Sequence, residues 1–97
     1  MSEPITITVK PFKMGTEKES ALKPLEEAAE VYGAWQDMTG YMQDYPTLDC
    51  GYVRNAFANE LADCITACCN LANRYNIDLQ AAIDRVEESN VRRGRYE

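Results

Sequence analysis

The chain contains no histidine. That removes the commonest general base and the commonest zinc ligand. It also has no apolar run of about 18 residues, so the sequence predicts no transmembrane helix and no membrane partner. Its start, Met1-Ser2-Glu3-Pro4, shows no charged stretch leading into an apolar one. The expectation is no signal peptide and a cytoplasmic protein. Spaced Cys-x-x-Cys pairs are missing too. The four cysteines, Cys50, Cys64, Cys68 and Cys69, read as free thiols acting as small hydrophobes, with Cys64 and Cys68 on a core stripe. Positive charge is scarce: 10 basic residues against 16 acidic give a net charge of −6. A nucleic-acid backbone is therefore not expected as the partner.

What is present is a helical pattern in 97 residues, the length of one small domain. A core built from so short a chain is modest, so oligomerisation would help. Ile5 to Val9 alternate β-branched residues between Pro4 and Pro11. One short strand cannot bury itself, so this stretch either pairs with a partner chain or lies extended along the helices. Thr16 followed by Glu19 fits a capping box. Pro24 leaves two options: one kinked helix from about residue 17, or a turn followed by a helix from Pro24. In either case the helix runs to about Asp37, with Leu25, Ala28, Tyr32 and Trp35 as its apolar stripe. Glu27 and Glu30 fall on the opposite face, which alone reads as solvated surface.

Met38 to Gly51 reads as a long connection rich in tyrosine, and long loops are often functional. Its tyrosines, and Trp35, suit either base stacking or covering the core. A second helix is expected from Gly51 to Tyr75. Its stripe is Phe57, Leu61, Cys64, Ile65, Cys68, Ala72 and Tyr75. Glu60, Asp63 and Asn70 lie on the flank of that stripe, interleaved with Ala56 and Ala67. That leaves space beside the helix for a ligand or ion. Asp78 is a good N-cap for a third helix, Leu79 to about Asn90, followed by a basic tail.

Carboxylates at i and i+3 lie about 60° apart on a helix, close enough to share an ion. Glu27 with Glu30, and Glu60 with Asp63, are two such pairs on two helices. Four carboxylates without histidine suit a hard ion, Mg²⁺ or alternatively Mn²⁺. Such an ion is usually shared with substrate phosphates, and the basic tail with Asn90 supplies counter-charge for them.

The strings Leu25-Glu-Glu-Ala-Ala-Glu-Val31 and Asn59-Glu-Leu-Ala-Asp-Cys-Ile65 resemble the E-E-x-x-E and E-x-x-D halves of the MazG-like all-α nucleoside triphosphate pyrophosphohydrolases. The tail, with Asn90, Arg93, Arg95 and Tyr96, is similar to that family's closing segment. The wording is most similar to short members from phages and prophages, over about residues 22–96. Two departures stand out: the gap from Glu30 to Glu60 is long for the family, and Val86, beside Arg85, stands where deoxycytidine triphosphatase relatives often carry lysine.

The resemblance implies a single domain over 1–97. It would be an all-α, small antiparallel bundle of about three helices completed by oligomerisation. Residues 1–15 would form a short extended N-terminal arm and 91–97 a basic tail. It implies a hydrolase of acid anhydrides that splits a nucleoside or deoxynucleoside triphosphate into monophosphate and pyrophosphate. Glu27, Glu30, Glu60 and Asp63 would be metal ligands, and Glu26 and Glu27 catalytic carboxylates. Asn70, Asn90, Arg93 and Trp35 are the candidate substrate contacts, and the assembly would be a homodimer or homotetramer. The alternative is a non-catalytic helical interaction or nucleotide-sensing protein on the same scaffold.

Overall fold

The computed structural model describes residues 3–97 and, among them, three helices and no strand. Helix α1 spans Glu17–Asp44, α2 Gly51–Arg74 and α3 Leu79–Arg92. None is long and apolar enough to cross a membrane.

The capping box at Thr16 is present in full. Glu19 N donates to Thr16 Oγ1 at 3.1 Å, and Thr16 N donates to Glu19 Oε1 at 3.4 Å. From this start α1 runs on through Pro24 as one helix, although proline forfeits a backbone bond there. It also runs past Asp37, so the long connection expected from Met38 is in fact six residues, Tyr45–Cys50. Gly40 is tolerated because an interior glycine costs only about 1 kcal/mol once a helix is propagating. Pro46 is the true stop: it pushes Tyr45 out of helical geometry, to φ −132° and ψ 63°. Asp78 caps α3 by accepting from Ala81 N. Asn76, in the left-handed region at φ 54°, makes the tight turn between α2 and α3.

The short α1–α2 connection folds α2 back along α1, and these two helices pack together. α3 shares no comparable contact with either. The radius of gyration is 16.4 Å, against about 13 Å for a compact chain of this length. One chain therefore forms a helical hairpin with a third helix set apart, not a closed three-helix bundle.

The packing also inverts the expected face of α1. Leu25, Tyr32 and Trp35 lie outside, 69%, 60% and 45% exposed, while Glu27 is buried at 7%. On α2 the outcome is mixed: Leu61, Ile65, Cys68 and Tyr75 of the expected stripe are exposed, Phe57 and Cys64 are half-buried, and Ala72 is buried together with Ala67 and Asn70 of the flank. The small-residue flank is what lets the helices approach.

Residues 3–16 form no strand. Ile7 to Lys10 lie beside Ala58, Leu61, Ala62, Ile65 and Thr66 of α2. The arm is pinned by backbone bonds to side chains: Phe12 N donates to Asn70 Oδ1 at 2.8 Å, and Ser20 Oγ to Met14 O at 2.7 Å. Arg74 Nη1 donates to Gly15 O and Ser20 Oγ, each at 3.1 Å. Thr16→Ala should lower unfolding stability by about 0.5–2 kcal/mol, the usual cost of an N-cap. The urea midpoint of the variant checks this, with an unchanged midpoint as the contrary result.

Candidate metal centre

Glu27 and Glu30 lie one turn apart on α1, and Glu60 reaches across from α2. One carboxylate oxygen from each lies within 4.8 Å of the others. An octahedral Mg²⁺ spans about 4.2 Å between opposite ligands, so small side-chain adjustments close these oxygens onto one ion. Glu27 is buried, Glu60 half-buried and Glu30 exposed, so the cluster opens to solvent on one side.

The second observation is polar accounting. Glu27 Oε2 and Glu60 Oε2 are both sealed from solvent with no hydrogen-bond partner among the described residues. Buried carboxylate oxygens without donors are rare and costly. A cation is one partner that would satisfy both oxygens.

Lys23 is part of this arrangement, and the sequence reading did not single it out. Its ammonium lies 3.3 Å from Glu27 Oε1 and 3.5 Å from Glu26 Oε2. The hydrogen bond and the charge of Glu27 raise its pKa above the ordinary 10.5. The stability that this pairing contributes is present below pH 10.5 and lost only as pH rises beyond it, so Lys23 stays charged across the neutral range. Spacing carried the signal, because Lys23 is four residues before Glu27 on one helix face. The three carboxylates outnumber the one ammonium, which Glu26 also shares, so the cluster keeps an excess of negative charge.

The other expected site residues are dispersed. Asp63 is exposed and not part of the cluster. Glu26 faces Lys23 with its side chain 60% exposed. Asn70 is buried, but its oxygen is taken by the arm. Trp35 stacks on Tyr32 at 5.7 Å between ring centroids, beside a groove of about 350 Å³ that Phe57 also lines. Asn90 donates to Tyr96 Oη at 3.4 Å, and it and Arg93 sit at the far end of the separate helix α3. All four cysteines are free. Burial, followed by the neighbouring Cys68 and Glu27, raises the Cys64 pKa, so its thiol is neutral and a poor nucleophile.

Mn²⁺ or Mg²⁺ should raise the melting temperature of the chain, by about 2.7 kcal/mol of stability at a hundredfold excess over Kd. Glu60→Gln should abolish that rise while stabilising the metal-free protein, since it removes a buried unpartnered charge. Asp63→Asn should leave the rise intact. Thermal scans with metal and with chelator check all three, and an unaltered metal response in Glu60→Gln would contradict the assignment. No protein-family model matches the chain, and no curated protein or solved structure matches it.

Proposed function

We propose that the protein is a divalent-cation-dependent hydrolase that splits a nucleoside or deoxynucleoside triphosphate into the monophosphate and pyrophosphate. The observation that carries this reading is the three-carboxylate cluster with two buried, unpartnered oxygens. The resemblance to MazG-like pyrophosphohydrolases supplies the reaction. Mg²⁺ is the natural ion, with Mn²⁺ as substitute.

In this reading Glu27, Glu30 and Glu60 hold the ion, and Lys23 fixes the Glu27 carboxylate. Once bound, the ion would neutralise charge on the phosphate oxygens and orient them. Water attacks the α-phosphorus, and the bond from that phosphorus to the bridging oxygen of the β-phosphate breaks, so pyrophosphate leaves. Glu26 or Glu27 accepts the proton from the attacking water. Asp63 lies one turn beyond Glu60 on the solvent side and belongs to the site only if its side chain turns inward.

Asn90 and Arg93 serve as the phosphate clamp when supplied by a second copy of the chain. The support is physical. α3 carries Ile83 and Val86, 45% and 59% exposed, while the hairpin exposes Leu25, Tyr32 and Trp35. Two unpartnered apolar faces on one small chain favour a homodimer or homotetramer in which each covers the other. Trp35 then either stacks on the base or seats the partner's helix.

A second reading is favoured by the position of α3: with the clamp apart from the carboxylates, the protein senses nucleotides or binds a partner without turning them over. The two readings separate in one assay. Chelator-sensitive pyrophosphate release from a panel of triphosphates, lost at least about a hundredfold in Glu60→Gln, supports the hydrolase. Nucleotide binding without release supports the sensor. Trp35→Glu should shift the assembly toward monomer in sedimentation velocity, and an unshifted profile would remove this face from the interface.

A further inference from the structure

A second polar cavity lies at the other end of the hairpin, between the N-terminal arm, the start of α1 and the end of α2. Its volume is about 350 Å³. The residues that matter are Lys13, Glu17, Ser20, Asn70, Asn73 and Arg74. We propose that this cavity binds a small phosphate-bearing anion, independently of the carboxylate cluster.

Several features point the same way. Asn70 keeps only 8% of its exposure, and its Oδ1 accepts from Phe12 N. That bond turns the amide so that Nδ2 remains as a donor. Nδ2 makes no hydrogen bond among the described residues, yet it is not among the sealed, unpartnered atoms. A donor of a nine-tenths-buried side chain that is neither bonded nor sealed faces the open cavity.

Arg74 brings a guanidinium to the same wall. Its latch to Gly15 and Ser20 uses Nη1 alone, leaving Nη2 and Nε as donors. Neither Arg74 nor Lys13 has a carboxylate within ion-pair distance among the described residues. The start of α1 adds the positive end of its dipole, which favours phosphate. Glu17 is the one opposing charge, against two cations. The chain as a whole is acidic at −6, and here two cations share one cavity wall. The volume exceeds that of one phosphate group, so a small organic phosphate fits as well as the free ion.

The test uses the full chain in chelator, so that the carboxylate cluster takes no part. Inorganic phosphate and a simple sugar phosphate are titrated at constant ionic strength, with chloride as the control. The readout is the NMR resonance of the Asn70 side-chain amide. A saturable shift with phosphate and none with chloride is expected. The sugar phosphate binding more tightly identifies an organic ligand, and equal affinity identifies the free ion. Lys13→Gln, an exposed change that leaves the latch intact, should weaken binding about threefold, the scale of one exposed charge pair. Arg74→Gln should weaken it further, and Glu60→Gln not at all. Absence of a saturable shift, or an affinity unaltered in Lys13→Gln, would overturn the proposal.

Discussion

Two sealed carboxylate oxygens without partners, Glu27 Oε2 and Glu60 Oε2, are the constraint on which the rest of this structure depends. They sit in the seam between α1 and α2, where most small proteins place leucine or valine. A hairpin that accepts this must either bind a compensating charge there or lose stability to it. Lys23 neutralises one carboxylate in part, from the solvent side. The remaining negative charge would suit a bound cation better than an apolar core.

The residues buried among those described are small or polar, and many bulky apolar ones are exposed. Among the described residues no large side chain is fully buried in one chain. The hydrophobic contribution to stability is thus largely unrealised in the hairpin and available to association. The N-terminal arm covers some of this surface on α2, held by a hydrogen bond to Asn70 and by bonds from Ser20 and Arg74 rather than by a strand ladder.

Much of the fold was legible because its signals are local. The Thr16 box, the Asp78 cap and the helical periods depend on residues three or four apart, and they sit where the sequence places them. The end of α1 was less legible, since Gly40 only weakens a helix, whereas Pro46 prevents its continuation. The faces were not legible. Period identifies an apolar stripe on α1 but not whether a neighbouring helix or a second chain covers it. Of the four expected ligands, three converge, because Glu27, Glu30 and Glu60 lie on the seam. Asp63 and Asn70 share one flank of α2, yet only Asn70 is buried. The difference is Phe12, which lies 58 positions away in the chain and cannot be read from spacing.

The most direct measurement is anomalous diffraction from crystals of the chain grown with Mn²⁺. The account predicts one strong peak between the carboxylates of Glu27, Glu30 and Glu60, absent from Glu60→Gln. A manganese-free cluster in crystals that hold the ion elsewhere, or a peak retained in Glu60→Gln, would contradict it.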